Sequence, residues 1–213
     1  MIATRKKNPE SVLGSLKGKS AVFVVGCADC ATTCSTGGEK EVAEMRTFLE
    51  KNGFRVSGTA VLDVPCDERI GRKFLREHEK EISGSDGLLV LSCGSGVNAL
   101  GRVVELPVAV LPGLDSLFVG AVERLGRFNE YCSLCGDCVL AETAAVCPVT
   151  RCAKGLVNGP CGGSVLGKCE VDPDNDCLWV AMYKRNPKAA VFSRTLPPRR
   201  SHRSGKPHKV KDR

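Results

Sequence analysis

Aromatic residues are scarce in this chain, at 5% of its 213 residues, although 42% of the residues are hydrophobic. The core must therefore be mainly aliphatic, and the apolar content excludes wholesale disorder. No apolar run reaches the roughly 18 residues that cross a bilayer, so we expect no membrane span. The first 20 residues lack the apolar stretch of a secretory signal peptide, which favours a cytoplasmic location.

The positive charge is concentrated at one end of the chain. Its net charge is +7, but residues 184–213 hold 11 Lys and Arg against one acid, Asp212. The other 183 residues hold 20 basic and 23 acidic side chains and are slightly acidic. This distribution argues against a nucleic-acid-binding body, since such domains present a basic surface.

Cysteine is the residue in excess, with 13 copies. Disulfide frameworks are typical of small secreted domains, whereas cytosolic thiols stay reduced. Ordinary buried cysteines would explain one or two copies. Clusters of the Cys-x-x-Cys type among glycines and prolines instead indicate zinc or iron–sulfur ligation.

Alternating strands and helices are predicted in the first part of the chain. The expected strands are 20–27, 54–64, 86–93 and 107–111, and the expected helices are 39–51, 66–82 and 97–102. This order predicts an α/β domain with a small parallel sheet of the Rossmann or flavodoxin type. No GxGxxG or P-loop pattern accompanies it, so we expect no nucleotide site. His78 lies in the apolar register of its helix and is expected to be packed rather than catalytic.

Four segments follow from the change in composition. We expect a flexible segment at 1–18, the α/β domain at 19–125, a Cys-rich domain at 126–186 and a basic disordered tail at 187–213. The Cys-rich domain has too little periodic apolar sequence to fold alone, so bound metal is expected to stabilise it. A short closing helix is predicted at 178–183.

The first cysteine group follows the predicted strands. Cys27 and Cys93 end the first and third predicted strands, and Cys66 lies just after the second. All three should therefore meet at the carboxyl edge of the sheet. Cys30 or Cys34, in the loop after the first strand, could add the fourth thiolate, and the sequence leaves that choice open. Four thiolates suit a 4Fe–4S cluster or an all-thiolate zinc site.

The second cysteine group divides into two sets of four. Cys132, Cys135, Cys138 and the Cys147-Pro pair approach the ferredoxin cluster pattern, with a longer gap before the last ligand. The remaining four are the number of ligands in a closed zinc site, and they are Cys152, Cys161, Cys169 and Cys177.

Several stretches are similar to one known family. They run over residues 130–140, 147–163, 167–171 and 176–179, with upstream pieces at 34–42 and 92–96. These stretches resemble the methylenetetrahydrofolate reductase C-terminal family, which includes the small zinc and iron–sulfur subunit of a two-subunit reductase. The resemblance covers roughly residues 20–185 and leaves the basic tail outside.

The resemblance implies a non-catalytic partner rather than a complete enzyme. Such a subunit would carry 4Fe–4S clusters and Zn²⁺ and relay electrons to a flavoprotein methylenetetrahydrofolate reductase, and further redox subunits could join it. The flavoprotein would reduce 5,10-methylene- to 5-methyl-tetrahydrofolate in one-carbon metabolism. Two alternatives stay open: a structural zinc module that docks on a redox enzyme, and a nucleic-acid-binding protein with four-cysteine zinc modules.

Overall fold

The computed structural model describes residues 1–192. It divides the chain into two compact units that meet between Asn129 and Glu130. The boundary predicted at 125/126 falls instead on the turn of a β-hairpin at the end of the first unit.

A four-stranded parallel sheet forms the centre of the first unit. Its strands are β2 (Ala21–Cys27), β3 (Arg55–Leu62), β4 (Gly87–Val90) and β5 (Ala109–Pro112), in the order β3-β2-β4-β5. Each neighbouring pair is parallel. The order corresponds to 2-1-3-4, the flavodoxin arrangement. The prediction of a small parallel α/β sheet is therefore confirmed.

Every residue of β2 is buried, which shows that both faces of the sheet are covered. Val22 and Val24 belong to one core cluster, and Phe23 and Val25 belong to the other. The alternation follows from the two-residue period of a strand. Helix α3 (Glu39–Lys51) contributes to the first cluster.

The opposite face of the sheet is covered by three helices. They are α4 (Glu68–Glu77), α5 (Glu79–Ser83) and α6 (Gly94–Val103). The single helix predicted at 66–82 is broken at His78, which ends α4 and precedes α5. The His78 ring lies 5.5 Å from the Phe23 ring and 5.1 Å from the Phe74 ring, so it is packed among aromatic side chains as expected.

The N-terminal residues form regular structure, contrary to the expected flexible segment. Strand β1 (Ile2–Lys6) pairs antiparallel with β6 (Leu114–Arg124), and β6 pairs in turn with β7 (Arg127–Glu130). Helix α1 (Pro9–Ser15) follows and contributes to the core. The local sequence conceals this sheet because the partner of β1 lies more than a hundred residues further along the chain.

Asp86 ties the start of β2 to the loop before β4. One of its carboxylate oxygens accepts hydrogen bonds from Ser20 N at 2.7 Å and Ala21 N at 2.9 Å. These two backbone donors lower the pKa of Asp86. Since the pKa is lower in the folded state, the stabilisation is complete above the unfolded value of about 3.9 and is lost as the pH falls through the folded value.

We therefore expect Asp86→Ala to lower the urea midpoint of the first unit at pH 7, because two backbone donors lose their acceptor. The difference from the unsubstituted protein should shrink as the pH is lowered from about 5 toward 2, as Asp86 becomes protonated. Asp86→Asn keeps one acceptor oxygen and should fall between the two at pH 7. Circular dichroism during urea titration measures all three, and a difference that is independent of pH would contradict this assignment.

The second unit contains little regular structure. Its helices are α7 (Pro148–Arg151) and α8 (Leu178–Arg185), followed by a 3-10 turn at Ala190–Phe192. Trp179 is 3% exposed and lies in a small core. The closing helix predicted at 178–183 is thus present.

The predicted basic tail begins within this core rather than outside it. Val191 is buried, and its backbone N donates to Glu142 O at 3.1 Å. The prediction of disorder is therefore wrong for residues 187–192, and residues 193–213 lie outside the described part of the chain. None of the helices within residues 1–192 has the length and apolar character to cross a membrane.

Candidate metal centres

The carboxyl edge of the parallel sheet gathers three cysteines. Cys27 is the last residue of β2, and Cys93 lies just beyond β4 and caps the N-terminus of α6. Cys66 lies in the turn between β3 and α4. In this fold the strand order reverses between β2 and β4, and ligands bind in the crevice outside the strand ends there. Cys27 and Cys93 are both buried, whereas Cys66 is exposed.

The loop after β2 carries Cys30 and Cys34 on a single helical turn. Helix α2 (Cys30–Thr33) begins at Cys30, and Cys34 ends it. The loop returns tightly to the sheet, since Cys27 N donates to Gly37 O at 2.8 Å. A Cβ atom at Gly26 would lie only 2.5 Å from that same oxygen, so this close approach requires glycine.

The N-terminal strand contacts both loop cysteines. Ile2 N donates to Cys30 Sγ at 3.4 Å, and Cys34 Sγ donates to Ile2 O at 3.9 Å. Cys30 Sγ also donates to the carboxylate of exposed Asp29 at 3.5 Å. The two cysteines therefore share one residue of β1, which presents a donor to one and an acceptor to the other.

The thiols of this group are close enough to affect one another. Burial raises the pKa of Cys66, and Cys93 and Cys27 raise it further. Burial also raises the pKa of Cys30, against the opposing effect of the Ile2 N–H, and Asp29 and Cys93 add to the rise. Cys27, Cys30, Cys66 and Cys93 thus lie within electrostatic range of one or more of the others.

The cysteines at this edge supply the type of ligand that a cluster needs, but they do not form a preassembled metal site. Within residues 1–192, no three His, Cys, Asp or Glu side chains are arranged to hold a metal ion. Four thiolates are the ligands of a 4Fe–4S cluster, so the predicted cluster stays a prediction.

In the second unit, hydrogen bonds connect the Cys-x-x-Cys turn to Cys147. Ser133 Oγ lies 2.8 Å from Thr150 Oγ1, and Thr150 Oγ1 lies 3.6 Å from Cys147 Sγ. Leu134 N donates to Cys132 Sγ at 3.4 Å, in a turn where Leu134 has a positive φ of 53°. Helix α7 begins directly after Cys147. Cys135 and Cys138 belong to the same turn and the residues after it.

The remaining cysteine loops meet around an ion pair. Lys154, two residues after Cys152, pairs with Glu170, which follows Cys169. A Cβ at Gly163, two residues after Cys161, would collide with the Glu170 carboxylate. The loops of these three cysteines therefore converge on Glu170.

Cys177 lies across a hairpin from this ion pair. Its backbone N donates to Gly167 O at 2.7 Å, and Cys169 N donates to Asn175 O at 3.0 Å. Cys177 is 7% exposed and caps the N-terminus of α8. The hairpin thus holds Cys177 in the same region of the unit as Cys169.

Two lysines near the cysteines have a different role from the one expected. The sequence suggests that Lys154 and Lys168 compensate thiolate charge. Instead each pairs with a carboxylate, Lys154 with Glu170 and Lys168 with Asp176 at 2.7 Å. The hydrogen bond from Lys168 lowers the pKa of Asp176. Both lysines therefore join loops that carry cysteines.

Sequence reasoning misses the groups that surround the thiols. No motif identifies the backbone of Ile2, because the position of β1 depends on long-range pairing with β6. Asp29 stands next to Cys30 in the sequence, yet only the fold brings it near Cys66. Glu170 is adjacent to Cys169, and nothing local indicates its contact with Lys154.

The first unit is an α/β domain with the strand order of a flavodoxin, and a Cys-rich unit follows it in the chain. Residues 111–199 match the family model described as Methylene-tetrahydrofolate reductase C terminal. The match extends into the segment 187–213, which the resemblance left outside. The upstream stretches at 34–42 and 92–96 lie outside the match and remain a resemblance. No curated protein matches the chain.

Proposed function

We propose that this protein is an iron–sulfur and zinc subunit that relays electrons to a flavoprotein methylenetetrahydrofolate reductase. The observation that carries the proposal is the convergence of cysteine loops at the switch point of the α/β sheet, in a chain whose residues 111–199 match the model of that reductase family. The fold supplies thiols at a ligand-binding edge, and the family supplies the reaction.

A 4Fe–4S cluster in the first unit would use Cys27, Cys66, Cys93 and one loop cysteine. Cys27 and Cys93 are fixed by the ends of β2 and β4, so two ligands belong to the most buried part of the sheet. Buried ligands hold a cluster in a low-dielectric setting, and that setting and the hydrogen bonds to sulfur tune its potential. The cluster supplies one-electron chemistry when it is bound.

The second unit would hold two further groups. The ferredoxin-like spacing suits a cluster on Cys132, Cys135, Cys138 and Cys147, and Ser133 and Thr150 connect the first of these loops to Cys147. The other four are the number of ligands in a closed zinc site, and they are Cys152, Cys161, Cys169 and Cys177. Zinc has no redox chemistry and would serve folding.

The partner flavoprotein would supply the flavin and the folate site. A structural zinc module without iron is the competing hypothesis, and the metal content of the purified complex distinguishes the two.

The test is native purification of the chain with its partner under nitrogen, followed by stepwise reduction with dithionite. We expect iron, sulfide, zinc and flavin in the complex, and bleaching of the flavin that depends on the clusters. Removing iron should slow flavin reduction by at least tenfold, while flavin content stays constant. Equal rates with and without iron would contradict the relay, and zinc without iron or sulfide would select the structural module.

A further inference from the structure

We infer that strand β3 is an interface between two copies of this chain, which pair antiparallel about a two-fold axis at Thr59. The pairing joins the parallel sheets of the two copies into one continuous sheet. It uses none of the cysteines and does not depend on the proposed electron transfer. Three features of β3 support it, namely its unprotected edge, the direction of its backbone groups and the charges at its two ends.

Strand β3 is an edge of the parallel sheet that lacks the usual protection of an edge. In the described part of the chain its one neighbouring strand is β2. The six residues after Arg55 are each partly exposed, and none of them is charged. The opposite edge, β5, has four residues and ends in Pro112. Short strands, prolines and charges keep edges from pairing, so β3 is open to another strand whereas β5 is protected.

The hydrogen bonds between β3 and β2 show which backbone groups of β3 face outward. Leu62 O accepts a hydrogen bond from Ala28 N at 2.8 Å, so the backbone groups of Leu62 face β2. The pairing is regular from Gly58 to Leu62, because its shift in register lies before Gly58. Successive residues of a strand present their N–H and C=O groups to alternate sides. Thr59 and Val61 therefore present theirs away from β2.

Thr59 is the position at which this edge can pair with itself. A two-fold axis between identical antiparallel strands places one residue opposite its own copy, as every interface of this symmetry is self-complementary. Thr59 fits that place because its N–H and C=O can exchange two hydrogen bonds with Thr59 of the second copy. Val61 then lies opposite Ser57 of the second copy. Gly58 and Ala60, on either side of the axis, are small enough for the two backbones to approach.

The charges at the two ends of β3 agree with this register. Arg55 begins the strand, and Asp63, which is exposed, follows its last residue. Each lies four positions from Thr59, so antiparallel pairing about Thr59 sets Arg55 of one copy near Asp63 of the other, and the axis makes this pair twice. Arg55 donates to Gly84 O at 2.6 Å and has further N–H groups for the carboxylate. Opposite charges across an antiparallel pair stabilise it.

The experiment measures the mass of the full-length chain by sedimentation equilibrium over a concentration series, under nitrogen and with excess thiol reductant. The reductant excludes disulfides among the 13 cysteines as the source of a dimer. We expect the mass of two chains. A chain that stays monomeric over the whole series would overturn the inference. The result does not depend on metal content, so it is separate from the test of the proposed function.

The first variant removes the hydrogen bonds at the axis. Thr59→Pro deletes an N–H that faces away from β2, which an edge strand tolerates. Because two symmetric donors are lost, the dissociation constant of the dimer should rise about tenfold or more. Thr59→Val keeps the N–H and the β-branched shape, and it should dimerise like the unsubstituted chain. A dimer that folded Thr59→Pro leaves intact would overturn the inference.

The second set of variants tests the register. Arg55→Asp and Asp63→Arg each set like charges against one another twice, and each should weaken the dimer. The double variant restores opposite charges and should dimerise more strongly than either single variant. Arg124→Asp reverses an exposed charge on β6 and should have no effect. Circular dichroism during urea titration checks that all variants fold, and a double variant no better than the single ones would overturn the pairing about Thr59.

Discussion

Replacing Cys93 by alanine is expected to remove the first cluster, with a loss of about four iron atoms per chain. Cys93 is 8% exposed, follows β4 and lies within electrostatic range of Cys66 and Cys30. No other group at that end of β4 can replace its thiolate, because Ser92 is buried and bonded to the Cys93 carbonyl at 3.1 Å. The site would therefore lose a thiolate ligand whose position is fixed by the sheet.

The fold of the first unit should survive this change. Alanine removes only the sulfur, and the Cys93 side chain makes no capping hydrogen bond to α6. Iron and sulfide analysis together with far-UV circular dichroism measure both effects. Ser92→Ala, one residue earlier, is the matched control and should retain its iron. Full iron in Cys93→Ala, or equal iron loss in both variants, would contradict the assignment of Cys93 as a ligand.

Removing zinc from the second unit is expected to unfold that unit while the first unit stays folded. Trp179 is the only tryptophan of the chain, is 3% exposed and stacks edge-on against Phe192 at 6.4 Å. Its fluorescence therefore reports on the second unit alone. We expect its emission to shift to longer wavelength when a strong chelator is added, because the indole becomes exposed to water.

The physical reason is the small core around Trp179. Structural zinc contributes about 10–16 kcal/mol of apparent binding free energy, which is comparable to the 5–15 kcal/mol that stabilises a whole domain. A unit with few buried apolar side chains cannot replace that contribution. The parallel sheet has two apolar core clusters of its own, so its circular dichroism should persist.

Cysteine variants provide the matched control for the chelation experiment. Cys177→Ala should reproduce the fluorescence shift without a chelator, because Cys177 is buried and precedes α8, the helix that carries Trp179. Cys66→Ala changes a cysteine of the first unit and should leave the emission unchanged. A chelated protein with unshifted emission would show that the second unit folds without zinc.

The parallel sheet could be predicted because its signals are local. The apolar run of β2 and the Leu-rich run of β4 are each buried on both faces, which only a central parallel strand requires. The positions of Cys27 and Cys93 at strand ends follow directly from these two runs. Since the carboxyl ends of parallel strands lie at the same edge of a sheet, the placement of both cysteines at one edge could be predicted.

The N-terminal sheet and its contacts with Cys30 and Cys34 could not be predicted. Strand β1 has a mixed burial pattern, and its register with β6 is set by contacts far apart in the sequence. Local spacing alone treats Cys30 and Cys34 as equivalent, since both lie in the same loop. Only the long-range pairing of β1 shows how the backbone of Ile2 contacts each of them.

The loops of the second unit were the least predictable part. Their sequence has little periodicity, and five of their turns place a glycine at positive φ, at Gly136, Gly155, Gly159, Gly162 and Gly167. Such turns fix the direction of the chain without a pattern that local rules can read. The division of the cysteines into two sets rests on counting and stays a prediction.

The most direct test of the account is metal and sulfide analysis of the full-length chain purified under nitrogen. We expect about eight iron atoms and eight sulfides and about one zinc ion per chain, with an EPR signal after reduction by dithionite. Zinc without iron or sulfide, and no EPR signal, would contradict the electron-transfer function.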